Sequence, residues 1–345
     1  MRVLDSLEPQ VHGSSPGHRN AGAEYVEGSV LDRELLAESL RGVERVVHLA
    51  AQVGVGQSMY QMAHYVRENC LGTATLLELL AERKDSVEAL VVASSMSVYG
   101  EGAYRCEGCG STDAGVVRHL ADLRERQWEP VCSSCGTIAR PLPTPEGKRL
   151  ECDSVYAVSK RDQEELCLTV GRAYGIRTVA LRFFNVYGPR QALSNPYTGV
   201  AAIFLSRLLN GNAPVVFEDG LQSRDFVHVT DIARAIELAL AADVGGVALN
   251  VGTGSPTTVL DIARTLSARL ATEVEPEVVE RFRHGDIRHC FADIGAAERL
   301  LGFQPTISLA DGMADLIEWT RREGPEAEDR TEASSAELVE RGLVL

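Results

Sequence analysis

Short apolar runs alternate with stretches of helical periodicity through the first half of the chain. This alternation constrains the fold more than any other feature. Val3-Leu4-Asp5, Arg45 to Ala51, Glu88 to Ser95 and Thr178 to Phe184 read as strands. Between them, Leu31 to Leu40 (closed by Gly42), Met62 to Leu80 and Ser154 to Tyr174 (stopped by Gly175) read as helices. Strands and helices in such order predict an α/β parallel sheet covered on both faces. Further on, helices are expected at Val200 to Leu209, Asp231 to Ala241 (N-cap Thr230), Thr258 to Leu270, Asp293 to Leu301 (N-cap Asp293) and Leu309 to Arg322. A strand is expected at Gly246 to Asn250. Beyond Gly324 the chain turns polar and reads as a solvated, flexible tail, with a short helix from Ala336.

Composition narrows the function. The 345 residues carry 34 Lys+Arg against 49 Asp+Glu, a net charge of −15. So acidic a chain is a poor sequence-independent binder of nucleic acid or anionic membrane. No apolar run is long enough to span a bilayer, and no secretory signal is visible, so the expected location is the cytoplasm.

Two motifs carry chemistry. Tyr156 and Lys160 stand four apart on an expected helix and share a face. A nearby cation favours phenolate and would bring a tyrosine toward general-base duty. The pair alone is also met by an exposed lysine one turn from a half-buried tyrosine. Ser95 ends a buried strand, at the carboxyl edge where doubly wound sheets bind ligands, and could hydrogen-bond a substrate oxygen. Plain turn chemistry would give the same residue.

The segment 101–150 breaks the rhythm. It carries Cys106, Cys109, Cys132 and Cys135 as two C-x-x-C pairs, each followed by a glycine, Gly110 and Gly136. That pattern suits a structural, tetrahedral four-thiolate zinc site in a zinc-ribbon-like module. Free cytosolic thiols are the alternative. Lying between Ser95 and Tyr156, the module must emerge near the site's mouth, where it could shape the pocket or a subunit contact.

Taken together, several ordered motifs resemble the extended short-chain dehydrogenase/reductase family, in its NAD-dependent nucleotide-sugar epimerase/dehydratase branch. They are Asp5, His48-Leu49-Ala50-Ala51, Asn69 with Gly72-Thr73, Ser95, Tyr156/Lys160 and Arg182 to Pro189. Further along come Arg224 to Val229, Asn250-Val251-Gly252 and Arg283 to Asp286. The resemblance covers roughly residues 1 to 320. Arg190 to Gly199 and the cysteine insertion look most like bacterial dTDP-L-rhamnose 4-epimerases, with UDP-glucose 4-epimerases as the near alternative.

The resemblance implies roles. Tyr156 would take a proton from a sugar hydroxyl while hydride passes to NAD. Lys160 would hold the nicotinamide ribose, and Ser95 and Ser97 would face the sugar. Asn185, Arg224 and Arg283 would grip the substrate diphosphate, as multidentate cations do. Asp5, Ala50, Ala51, Asn69 and Phe183 would line the cofactor, with Asp5 on the adenosine ribose. Related 4,6-dehydratases follow the active-site hydroxyl with Asp and Glu. Here Met96 and Ser97 follow, so elimination of water is unlikely and C4 epimerisation is favoured.

The implied organisation is a Rossmann-like doubly wound domain over 1–190, including the insertion. A smaller α/β substrate domain spans 191–323, with 225–252 returning to the first, and an acidic tail covers 324–345. The family's opening strand and G-x-x-G-x-x-G loop have no counterpart in this sequence. That strand would be central, so its loss is expected to leave two strand edges bare. A start placed about one βα unit too late and a true truncation both remain open. So do three activities: an epimerase that recycles NAD, a dehydrogenase or reductase that releases a ketosugar, and a cofactor-free, zinc-stabilised binding or assembly subunit. A homodimer is expected from the family.

Overall fold

The computed structural model describes residues 1–13, 18–112, 115–283, 285–322 and 327–344. His284 and the start of the tail, residues 323–326, lie outside them. The first half runs β1 (Arg2–Asp5), α1 (Pro9–His12), β2 (Glu24–Glu27), α2 (Arg33–Ser39), β3 (Arg45–His48), α3 (Val55–Ser58), α4 (Met62–Tyr65), α5 (Gly72–Glu82) and β4 (Ala89–Ser95). The insertion holds β5 (Ala103–Cys106), β6 (Val116–Val117), α6 (Leu120–Arg124), β7 (Val131–Cys132) and β8 (Ala139–Leu142). Then come α7 (Val155–Tyr174), β9 (Arg177–Phe183), β10 (Asn185–Tyr187), α8 (Val200–Leu209), β11 (Val215–Val216), β12 (Ser223–His228), α9 (Val229–Ala241) and β13 (Val247–Val251). The chain ends with β14 (Pro256–Thr258), α10 (Val259–Leu270), β15 (Glu277–Val278), β16 (His289–Cys290), α11 (Gly295–Leu301), α12 (Leu309–Arg322) and α13 (Thr331–Glu340).

The main sheet is parallel, in the order β13-β9-β4-β3. All of β4 is buried, as a strand covered on both faces requires. Register places Ser95 opposite Phe183 at the carboxyl edge. β1 and β2 form a separate parallel pair, and β1 is not bonded to β3. Both sheets nevertheless share one core. Leu4 and Val46 pack around Leu36, Leu76, Leu80 and Leu90. Val47 on β3 and Leu49 just after it are exposed by 37% and 53%.

The smaller sheet, β10-β12-β14 with β16 on β12, covers a second core in which Phe204, Leu205, Ile262, Leu266, Met313 and Leu316 meet. The insertion consists of two antiparallel ribbons, β5–β8 and β6–β7. Among the described residues no helix is long and apolar enough to cross a membrane.

Three local expectations are corrected. The helix expected over Met62 to Leu80 contains a π-helical turn, Val66–Leu71, which helps carry Asn69 into full burial. α9 is capped by His228, whose ring accepts from Thr230 N at 3.3 Å, because β12 runs directly into the helix. In the tail, Thr331–Glu340 is helical and docked, with Leu338 buried against Gly56. Its acidic residues find specific partners: Asp329 pairs with Arg207 at 3.2 Å, and Glu337 accepts from Tyr60 at 3.0 Å.

Candidate active site

Helix α7 opens on Ser154, whose hydroxyl accepts from Ala157 N at 3.1 Å. This cap sets Tyr156 in the first turn, at the carboxyl edge of the main sheet. The Tyr156 N–H is also tied to Ser58 Oγ at 3.0 Å, and the Tyr65 ring stands edge-on to it with centroids 6.5 Å apart. Ser95 ends β4 and caps the following 3₁₀ turn. Its hydroxyl accepts from Ser97 N (3.2 Å) and Ser97 Oγ (2.9 Å). Burial raises the pKa of the Tyr156 phenol, and the neighbouring Ser95 side chain opposes the rise only in part.

Lys160 lies one turn further along α7, 3% exposed. Its ammonium donates to Gln163 Oε1 at 2.7 Å. Burial pushes its pKa down to about 8. Gln163, unflagged in the sequence, is the hub of this layer. Its amide donates to Thr73 Oγ1 (2.8 Å) and Ala50 O (3.3 Å) and sits 3.2 Å from His48 Nε2. Burial, then Lys160, push His48 down to about 3, so it is neutral. Spacing on the Lys160 face of α7 is the signal that could have found Gln163.

Asn69 is fully buried. It accepts from Gln52 N (2.6 Å) and donates to Gln52 O (3.1 Å) and Ser159 Oγ (2.8 Å), clamping the loop after β3, which holds Ala50 and Ala51, to α7. Below this clamp, Glu164 and Arg182 form a buried ion pair (2.9 and 2.5 Å) that also takes Ser94 and Tyr99. It fastens α7 to β4 and β9.

The remaining expected residues fall into two groups. Asp5 lies at the end of β1, half-buried, its carboxylate accepting from Leu7 N at 2.8 Å. The next residue, Ser6, lines a cleft at the carboxyl ends of β1, β2 and β3 together with Ser29, Asp32, Gln52 and Arg67 among others. Phe183 sits beside Ser95. On the other side stand Asn185, Arg224 and Arg283. The Asn185 Oδ1 is buried without a partner, as expected of an acceptor awaiting a ligand. Arg224 donates to the carbonyls of Ser223 (2.8 Å), Ile287 (2.5 Å) and Arg288 (3.1 Å). Arg283 is exposed, bonded to Asp286 at 2.8 Å, and lies 4.6 Å over the Phe217 ring.

These donors fit the two ends of NAD. A carboxylate at the end of β1 stands next to a polar cleft of a kind that could take a ribose diol, and Tyr156, Ser95 and Phe183 stand together at the carboxyl edge of the main sheet. For the pyrophosphate between them, the described residues offer Arg67 on the cleft wall and no glycine-rich loop.

In the insertion the four cysteine sulfurs lie within 4.8 Å of one another. Cys109 and Cys132 are 3.8 Å apart, and Cys106 and Cys135 3.3 Å. Tetrahedral zinc with ~2.3 Å bonds puts its sulfurs ~3.8 Å apart, so the set fits that ion.

Comparison with known proteins gives a concordant result. A profile of the NAD dependent epimerase/dehydratase family matches residues 2–119 and 126–252. A dTDP-L-rhamnose 4-epimerase of Burkholderia thailandensis is 34% identical, over 93% of this chain and 88% of that protein. Among solved structures, UDP-glucose 4-epimerase of Thermotoga maritima with UDP-glucose superposes with a TM-score of 0.74 at 28% identity, covering 93% of this chain and 90% of that one. MoeE5 in complex with UDP-glucose and NAD gives a TM-score of 0.72 at 29% identity, with the same coverage.

Proposed function

Because this chain belongs to the NAD-dependent epimerase/dehydratase family, we propose that it is a nucleotide-sugar 4-epimerase, with dTDP-L-rhamnose or a similar sugar as substrate. The observation that carries this reading is the juxtaposition of Tyr156 and Ser95 at the carboxyl edge, with Met96 and Ser97 following where elimination would need acids. The similarity of the Burkholderia and Thermotoga 4-epimerases supports it.

Tyr156 takes the C4 hydroxyl proton, and Ser95 hydrogen-bonds the same oxygen as it becomes a ketone. NAD, when bound, would supply the hydride acceptor and donor for this oxidation and its reversal. Asp5 holds the adenosine ribose, and Ala50, Ala51, Asn69, Lys160 and Phe183 form the wall around the nicotinamide half. Lys160 keeps two ammonium protons beyond the one given to Gln163, and these serve the ribose and the developing phenolate. Asn185, Arg224 and Arg283 face the diphosphate, and Ser97 the sugar. The cysteines Cys106, Cys109, Cys132 and Cys135 hold structural zinc, with no open position for chemistry. A homodimer through the π-helical turn Val66–Leu71 and α7 fits the exposed Val66, Leu71, Val158 and Leu166 there.

The test is incubation of the purified chain and NAD with dTDP-L-rhamnose, and separately with UDP-glucose, followed by NMR of the sugar. The expected result is the C4 epimer without net NADH, lost in Tyr156→Phe. Stoichiometric NADH with a released ketosugar would make it a dehydrogenase. Binding with no turnover, unchanged by Tyr156→Phe, would make it a binding or assembly subunit.

A further inference from the structure

The insertion reaches beyond its own cysteines. Several of its charged side chains, Arg118 and Glu129 among them, enter a buried network with the substrate-side strands. Glu129 Oε1 accepts from Arg288 Nε (2.9 Å) and Nη2 (2.6 Å), and its Oε2 meets His289 Nε2 at 3.1 Å. Burial alone would raise the Glu129 carboxyl, but the bonds from His289 and Arg288 outweigh it and hold it at about 2. A carboxylate on Nε2 makes that nitrogen the donor, which leaves His289 Nδ1 to accept from Ser223 Oγ at 2.8 Å. Arg288, 0% exposed, also binds Glu218 and Asp219. The carbonyls of Ile287 and Arg288 are the ones that hold the Arg224 guanidinium.

A second route runs in parallel. Arg118 of the insertion donates to Trp128 O (3.1 Å), Asp286 O (2.8 Å) and Glu218 Oε1 (2.5 Å). Asp286 in turn holds Arg283. The Trp128 ring packs edge-on to Phe282, next to Arg283, at 6.3 Å.

We propose that the four-cysteine insertion positions the arginines that grip the substrate diphosphate, with Glu129 acting on Arg224 through Arg288 and His289, and Arg118 acting on Arg283 through Asp286. This rests on the nucleotide-sugar reading above. Arg118 and Glu129 touch no substrate. They fix where two cations stand, and a cation displaced by about 1 Å loses most of a bidentate phosphate contact. The module thereby sets affinity for the nucleotide, not the chemistry at C4.

The experiment measures the affinity of dTDP and of UDP by calorimetry, together with kcat and KM, for wild type, Glu129→Ala, Glu129→Gln and the surface control Glu107→Ala. Among the described residues Glu107 pairs with Arg140 at the exterior, at 3.0 Å. Glu129→Ala is expected to weaken diphosphate binding and raise KM about tenfold, with kcat within twofold and metal content unchanged. Glu129→Gln keeps an acceptor for Arg288 and should recover part of the loss, and Glu107→Ala should match wild type. Should Glu129→Ala not fold, Glu129→Gln alone must still raise KM without lowering kcat. Unchanged affinity in both variants, or equal falls in affinity and kcat, overturns the proposal while leaving the nucleotide-sugar reading intact. A wild-type chain that binds neither dTDP nor UDP defeats that reading and the proposal with it.

Discussion

Replacing Lys160 by Met should make the protein more stable, and by an amount that depends on pH. The side chain is 3% exposed, and burial lowers its pKa from 10.5 to about 8. At ~1.4 kcal/mol per pH unit, holding the ammonium inside costs about 3 kcal/mol at pH 7. The unfolded chain binds this proton more tightly than the folded chain. Wild-type stability therefore rises with pH through the window from about 8 to 10.5, as the unfolded ammonium loses its advantage. At pH 9 most folded Lys160 is already neutral, and the cost falls to about 2 kcal/mol. Met also forfeits the bond to Gln163 Oε1, worth about 1 kcal/mol at either pH. The variant should thus exceed wild type by about 2 kcal/mol at pH 7 and about 1 kcal/mol at pH 9. Urea unfolding followed by tryptophan fluorescence at the two pH values measures both gaps, and other groups titrating in that range cancel in the difference. A gap that stays constant between pH 7 and 9, or that widens, would show that Lys160 titrates like an ordinary lysine and that its burial is not what sets its proton affinity.

Other consequences follow from the same buried groups. Glu164→Ala strands Arg182 in the interior with only Tyr99 and a carbonyl as partners, and should cost about 3–5 kcal/mol in urea unfolding; a loss below about 1 kcal/mol would contradict the assigned burial. Cys106→Ser with Cys132→Ser should abolish the zinc found by elemental analysis of the wild type and lower Tm, whereas a wild type free of zinc would refute the metal assignment. Ending the chain after Arg322 removes Asp329 from the buried Arg207 and Glu337 from Tyr60 and Tyr197, so Tm should drop; an unchanged Tm would mean the docked tail contributes nothing.

What could be read along the chain was what local periodicity encodes. The bounds of α8 and α12 match their apolar spacing, and Tyr156 and Lys160 fall one turn apart because a helix requires it. The cysteine pairs converge because C-x-x-C turns present both sulfurs to one side. The direction of the Lys160 ammonium was not legible, since rotamer choice answers to Gln163 and to the neutral His48 across the layer. Nor was the docked tail. Its polar composition argues for solvent, and only the placement of Leu338 on Gly56 and of Glu337 between two phenols argues otherwise.

The least legible contacts are those that decide whether the arginines can serve a substrate. Arg224 and Arg283 look, in sequence, like free cations beside a phosphate. In the fold, Arg224 spends its donors on three carbonyls, and Arg283 is paired with Asp286. Each is held by a segment that Arg118 or Glu129 anchors from far away in the chain. Such preorganisation carries a cost, because burying Arg288 with Glu218 takes a charged pair out of water, although Glu129 and Asp219, also bonded to Arg288, keep about a third of their exposure. In a segment without periodicity, inserted between Ser95 and Tyr156, that cost falls on contacts that reach the strands bearing those cations. An insertion serving stability alone could meet the same strands with apolar side chains and avoid the desolvation. The ionic character of the contact is therefore itself an argument that the module positions charge.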